Sequence, residues 1–461
     1  MGETAAAPRE VGTLALRGRF VHGVGSTAGT LDAVVDGLLV VRHGRIERFA
    51  ISEAEISSAL RELQDIPLVQ MGADAFCVPG MIDTHVHAPQ HQFCGTATDL
   101  QLMAWLQHYT FPAERRLEDA SLAADVYTRL VRRLLAHGTT TAVYFASLHL
   151  GGTKALVDVC RTLGQRAFVG KVAMDQHGGE AYEETTEESL RDTEALIEYC
   201  HACEDAPAEE RLVNPVVTPR FIPTCSKALL EGLGALAAKY DARGCWVQSH
   251  CAESVDEMAF VEQLHPGKRD VQIFAEAGLL TGRCVMAHCV HMREDELRTF
   301  AERGTGIACC PLSNAFFAGG TFQLRRAQQA GVRVGLGTDV AGGYSPSMLN
   351  SCRTAVIASK VSASTAGADI DFKVAFWTAT LGSAAALGLE QHLGNFAVGK
   401  QFDACVISRA ADVYDTFAPP SADPREVLMA DFERYVNLGD DRNVQKVYVR
   451  GRLVKGGDAS G

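Results

Sequence analysis

Eight short apolar runs, separated by longer stretches with apolar residues at three-to-four spacing, constrain this chain more than any other feature. The runs are GMIDTHVH, GTTTAVYFAS, GQRAFVGKVAMD, RLVNPVVTPRFI, GCWVQSHCAE, GRCVMAHCV, GTGIACCPLS and GVRVGLGTDV. Strand side chains alternate with period two and helices repeat every 3.6 residues, so this alternation reads as parallel strand–helix–strand units. Eight units in roughly 320 residues predict an α/β fold, a (β/α)8 barrel. An open doubly wound sheet is the alternative, which strand count alone does not exclude. The outer parts of the chain have another rhythm. LALRGRFVHG, DGLLVVRHGRIERFA and IPLVQMG precede the barrel, and QFDACVIS and VQKVYVRGRLV follow it, all β-like runs broken by turns. They are expected to form a small β-sandwich domain from both chain ends, residues 1–76 plus 395–461, around a catalytic barrel of 77–394.

In such a barrel, chemistry sits at the C-terminal ends of the strands. The first run ends in His85-Val86-His87, whose two imidazoles share a strand face. The fifth run ends at His250, followed by Glu253; the sixth ends at His288 and the eighth at Asp339. A nitrogen-rich set with one carboxylate suits Zn²⁺, with Fe²⁺ the alternative. With one position open, such a cation lowers the pKa of water from about 15.7 toward about 7. Glu253, three residues beyond a ligand, can face the same cavity without binding metal, the placement of a proton shuttle.

The motifs PGMIDTHVH, SHCAE, MAHC and GLGTD, in this order, resemble the amidohydrolase superfamily, whose small composite domain the terminal β runs match. GMIDTHVHAPQHQF, DLQLMAWLQHYTFPAE, GQRAFVGKVAMD, TPRF and VNLGDDRNVQKVYVRGRLV narrow the resemblance to its guanine-deaminating branch, along nearly the whole chain. Two-metal members carry a carboxylated lysine at the end of strand four; Arg220 stands there and cannot form a carbamate, so one metal per chain is expected. Lys171, on strand three, reads as structural or as a residue that supports the site from behind the ligands.

The resemblance implies hydrolytic deamination of guanine to xanthine and ammonia. His85, His87, His250 and Asp339 would hold the cation, while His288 completes the shell or hydrogen-bonds the attacking oxygen. Asp339 would take the water's proton; Glu253 would protonate ring N3 and help deliver a proton to the amine. Arg220, a donor-only fork, would read the C6 carbonyl, Gln90 the same polar edge, and Phe221 the ring, beside His87, Glu253 and Asp339. A homodimer in the cytoplasm is implied too. The rival reading is a deaminase or chlorohydrolase of the same superfamily acting on a pterin, a triazine or an adenosine-like thioether.

Other features exclude more than they assign. A net charge of -13 argues against nucleic acid or anionic membrane as partner and says little about a neutral substrate; the small purine base is what the resemblance implies. The start MGETAAAPRE shows no secretory leader, and Ala6 breaks the myristoylation pattern. No apolar run approaches the ~20 residues that span a bilayer. The fourteen cysteines, CHAC and Cys309-Cys310 included, read as reduced core thiols. GVGSTAG misses the dinucleotide fingerprint and reads as a loop. Asp99 to Trp105 opens a lid-like helical insertion with Leu100, Met103, Ala104 and Leu106 apolar. His149, Asp175, His177 and His291, near strand ends, read as hydrogen-bonding residues.

Overall fold

The fold was analysed in a computed structural model, which describes residues 12–63, 66–179, 182–362, 369–409, 412–417 and 420–456. The leader and myristoylation readings at the N-terminus lie outside these residues.

Five strands come first: β1 (Leu14–Gly23), β2 (Leu31–Arg42), β3 (Arg45–Ala50), β4 (Leu68–Gln70) and β5 (Ala75–Pro79). The barrel strands follow as β6 (Met81–His87), β7 (Thr139–Phe145), β8 (Arg166–Gly170) with its extension β9 (Val172–Ala173), β10 (Val213–Pro219), β11 (Trp246–Cys251), β12 (Cys284–His288), β13 (Gly306–Cys309) and β14 (Arg333–Leu336). Then come β15 (Ala404–Ser408), β16 (Val444–Val449) and β17 (Arg452–Lys455). All eight predicted runs are therefore strands, paired in parallel in the order β6, β7, β8, β10, β11, β12, β13, β14. Their residues are buried on both faces except Arg333, which explains why they read as unbroken apolar runs.

The last and first strands meet at the mouth. Asp339 N donates to His85 O at 2.9 Å and His87 N to Val340 O at 3.1 Å. Beneath them Thr338 donates through Oγ1 (2.5 Å) and N (2.9 Å) to the buried Asp83 carboxylate. These bonds lock the eighth run to the first and exclude the open-sheet alternative. Ile82, Val143, Phe168, Val216, Trp246 and Val285 fill the barrel as one apolar cluster, plugged from below by Leu387, Leu389 and Leu393.

The terminal strands pair across the chain's two ends into one eight-stranded sheet, β17-β16-β15-β5-β1-β2-β3 with β4 on β1. The sheet curls around its own core of Leu16, Phe20, Leu39, Val41, Phe402 and Val406, while the helix Glu53–Glu62 covers Ala15, Leu38 and Val40 on the other face. The chain crosses from this sheet into the barrel at Gly80, where any Cβ would collide with the Thr140 side chain.

Candidate active site

The strand ends bring the predicted residues together. His85, His87 and His250 form one group of potential ligand atoms, all within 4.8 Å of one another, and Glu253, His288 and Asp339 form a second. His85 Nε2 lies 3.2 Å, and His87 Nε2 3.6 Å, from Asp339 Oδ1. His288 Nε2 is 3.8 Å from Asp339 Oδ2 and 3.5 Å from Glu253 Oε1. His87 Nε2 and His250 Nε2 face each other at 2.9 Å. Donors around one cation with bonds of about 2.0–2.1 Å lie about 3.3 Å apart at tetrahedral angles, close to this spacing.

Backbone strain helps aim these groups. His288 and Asp339 take left-handed φ values of 67° and 50°, as do Ala252 (46°) and Cys289 (54°) beside them. Non-glycine residues there cost of order 1–3 kcal/mol each and persist only where surrounding structure holds them.

The ring nitrogens facing away from the cluster are tied down. His250 Nδ1 meets Arg220 O at 2.6 Å and His288 Nδ1 meets Asn314 Oδ1 at 2.9 Å, which turns each Nε2 inward with its lone pair free. His85 Nε2 and His288 Nε2 are buried with no hydrogen-bond partner. Burial first, and then neighbouring histidines, push His85 and His250 well below the usual imidazole range; burial also lowers His288. Neutral imidazoles with orphaned inward nitrogens, plus a carboxylate, are the donor set of a divalent cation. Glu253 is driven well above the usual carboxylate range, by burial and then by Asp339.

Arg220 is where the sequence reading is incomplete. Its guanidinium is buried and forked onto Glu114, Nη1 to Oε2 at 2.7 Å and Nη2 to Oε1 at 3.0 Å. The same carboxylate accepts from Gln90 Nε2 (3.1 Å) and Tyr182 Oη (2.9 Å). Gln90 Oε1 in turn accepts from Ala341 N at 3.1 Å. The sequence points to neither Glu114 nor Tyr182 by itself; the only signal for the first is that it closes the DLQLMAWLQHYTFPAE motif. Arg220 keeps three N–H donors beyond those given to Glu114.

The pocket above the cluster is lined by His87, Gln90, Arg220, Phe221, Glu253 and Asp339, and by Leu102, Trp105 and Leu106 of the insertion. The insertion is thus a wall of the pocket, running as consecutive helical segments Leu102–Trp105, Leu106–Thr110 and Phe111–Arg115. Lys171 pairs with Glu184 at 2.6 Å, a structural role as expected. Asp175 accepts from Ser226 and Thr186, His177 Nδ1 meets Pro223 O and His291 Nε2 meets Ala318 O. His149, half-buried at a helix start, lies outside the cluster. All fourteen cysteines are free thiols. Cys310 Sγ, one of these thiols, lies within 4.8 Å of a ring nitrogen of His85 and of His288. Burial and then Asp339 raise that thiol well above its usual range.

Known proteins resemble this chain in sequence and in fold. The profile of the amidohydrolase family matches residues 76–454. Guanine deaminase of Rattus norvegicus is 39% identical over 458 residues, covering 98% of each chain. The crystal structure of a guanine deaminase from C. acetobutylicum with guanine bound in its active site superposes with a TM-score of 0.84 at 30% identity, covering 96% of this chain and 99% of that one. An adenosine deaminase from Xanthomonas campestris with bound zinc reaches a TM-score of 0.79 at 25% identity, covering 97% and 94%.

Proposed function

From the premise that this chain belongs to the amidohydrolase family, we propose that its barrel mouth hydrolyses guanine to xanthine and ammonia, with one Zn²⁺ held by His85, His87, His250 and Asp339. The observation that carries this reading is the pairing of two opposed chemistries in one pocket. A buried arginine fork stands on one side, and on the other a carboxyl that burial raises stands beside imidazoles that burial lowers. The guanine deaminases it resembles match 96–98% of the chain, and the zinc-bound neighbour supports the choice of metal.

A divalent cation at the cluster makes water acidic enough to attack near neutral pH. The residues do the rest. Arg220 donates to the C6 carbonyl with the N–H groups Glu114 leaves free, and Gln90 faces the same edge. Phe221, Trp105 and Leu106 press on the ring and keep bulk water out. Asp339 takes a proton from the attacking water while Glu253 gives its own to N3, so that oxygen adds to C2. As the C2–N bond breaks, Glu253 recovers a proton from the new hydroxyl and Asp339 passes its own to the departing amine. Both carboxyls return to their starting states. His288, held by Asn314 through Nδ1, accepts at Nε2 from the attacking water.

Adenine presents an amino group at C6, donor against donor with Arg220, and is excluded for that reason. A site built to hydrogen-bond one group rejects the wrong analogue by about 10⁴ to 10⁵. The test is an ammonia-release assay of guanine beside adenine, ammeline and a pterin, with and without chelator and with zinc add-back. Guanine turnover that chelator abolishes and zinc restores is expected. Turnover of a pterin or triazine in preference to guanine overturns the reading. The homodimeric state and cytoplasmic location expected from the sequence belong to the same proposal; sedimentation and cell fractionation test them.

A further inference from the structure

No proposed ligand of the cation comes from the seventh barrel strand, yet the chain that leaves it runs along the mouth. After β13 it turns at Pro311 into a short helix, Pro311–Ser313, which continues as a π-helical turn, Asn314–Ala318. Turns of this wide kind are rare and are frequent at functional sites. Three side chains of this one stretch serve the mouth. Ser313 and Phe317 line the pocket, the Phe317 ring 5.0 Å from that of Trp105. Asn314 holds His288 Nδ1 at 2.9 Å. Ser313 alone has no task in the chemistry above.

Ser313 stands at the Asp339 carboxylate. A Cβ added at Gly342 would lie 2.8 Å from Ser313 Oγ and 2.9 Å from Asp339 Oδ2, so both oxygens border one narrow space, and Oδ1 lies farther off. Oδ1 instead faces the ligand imidazoles, 3.2 Å from His85 Nε2 and 3.6 Å from His87 Nε2, whereas Oδ2 is 3.8 Å from His288 Nε2. The two oxygens thus differ: one sits among the ligands, the other between His288 and Ser313. Ser313 is buried, and its Oγ has no hydrogen-bond partner in its present position. Buried hydroxyls are normally paired, and the polar group beside this one is a carboxylate. Burial raises the Asp339 carboxyl, while His288 and then the nearby Ser313 hydroxyl bring it down. The Asp339 backbone is fixed by its bond to His85 O, so rotation of the carboxylate is the freedom that remains.

We propose that Ser313 is a positioning residue for Asp339: its hydroxyl donates to Oδ2 and keeps that oxygen off the cation, so that Oδ1 alone binds the ion. A hydrogen bond to a carboxylate is about twice as strong as one between neutral groups. A hydroxyl also accepts, so the same side chain holds Oδ2 when that oxygen carries a proton. The role rests on the deamination proposed above, in which Asp339 takes a proton from water and passes it to the amine. Oδ2, on the His288 side, is the oxygen placed for both transfers. Without the hydroxyl, the carboxylate turns about its last bond, brings both oxygens onto the ion and loses the free one.

The test is Ser313→Ala in the full-length protein, loaded with Co²⁺ for one arm and with Zn²⁺ for the other. Visible absorption of bound Co²⁺ weakens as its coordination number rises. Ser313→Ala is expected to bind one Co²⁺ per chain with weaker absorption than the parent, because Oδ2 joins Oδ1 on the ion. With Zn²⁺, its kcat for guanine should fall about 10- to 100-fold while KM stays within about twofold and the melting temperature is unchanged. Ser313→Thr keeps the hydroxyl and should restore the parental spectrum and most of kcat. Gly342→Ala crowds Ser313 Oγ and Asp339 Oδ2 from the other side and should reproduce the cobalt change, which keeps the test open if Ser313→Ala does not fold. A parental cobalt spectrum in Ser313→Ala overturns the proposal. So does a loss carried by KM, and so does a fall in metal content or melting temperature in step with activity, the mark of a packing role. A parent that binds Co²⁺ but leaves guanine intact overturns the deamination reading instead, and the cobalt comparison still decides the role of Ser313.

Discussion

Glu253 sits shut away from solvent beside His288 and Asp339, and burial raises its carboxyl well above the usual range, toward the protonated state. A proton donor for a ring nitrogen needs that state, and glutamine keeps the shape while losing the proton. Glu253→Gln is therefore expected to retain metal and fold yet lose about 10² to 10⁴ in kcat, the usual scale of general acid–base catalysis; guanine turnover with metal analysis checks it. Glu114 acts one step back, through Arg220. It is wholly buried and receives donors from Arg220, Gln90 and Tyr182, so it sets the direction of two side chains that face the ring. Glu114→Gln replaces a charged fork with a neutral, single acceptor. The loss of a charge-assisted hydrogen bond, about 1.5–3 kcal/mol, should lower kcat/KM about 10- to 100-fold, mostly through KM, and narrow the preference for guanine over adenine. A merely structural glutamate would lower melting temperature without moving that preference.

At the scale of elements, the strands were legible because strands covered on both faces leave nothing but apolar residues between their helices. His85, His87, His250, His288 and Asp339 were legible for a related reason, since each ends such a run and so projects from the same rim. Glu114 was not. In FPAER, followed by Arg116, a glutamate among arginines looks like a solvated face, and only the packing of the insertion over the mouth buries it. The terminal sheet adds a test of its own. His22, on β1, packs against Phe49 and Phe396, accepts from Phe396 N at 3.3 Å, and is pushed by burial from 6.5 down to about 4. Its folded pKa lies below its unfolded one, so the unfolded chain binds more protons between those values. The stability is fully present above pH 6.5 and falls as the pH drops toward about 4, by roughly 3 kcal/mol at most. Denaturant melts of His22→Phe across that window should show a shallower acid slope than the parent; an unchanged slope would place the proton uptake elsewhere.

For the whole molecule, the cation joins what the chain order keeps far apart. Its proposed ligands come from the first, fifth and last strands of the barrel, and the bonds of Asp339 and Val340 to β6 already close the ring at that seam. An ion that binds only the folded state stabilises it by RT ln(1 + [L]/Kd), about 4 kcal/mol at a thousandfold excess over Kd. Chelation should therefore do two things at once, removing activity and lowering the melting temperature by several degrees, with zinc restoring both. The buried pair Arg166–Asp403, at 3.2 Å and far from the mouth, ties β8 to the terminal sheet without any metal. If that tie and the apolar cores hold the two parts together, the chelated protein should melt earlier yet keep its far-ultraviolet circular dichroism at 25 °C. A chelated chain that lost its helix signal at that temperature would mean that the cation nucleates the barrel rather than completing it. Equal melting temperatures with and without chelator would mean that His85, His87, His250 and Asp339 hold no ion.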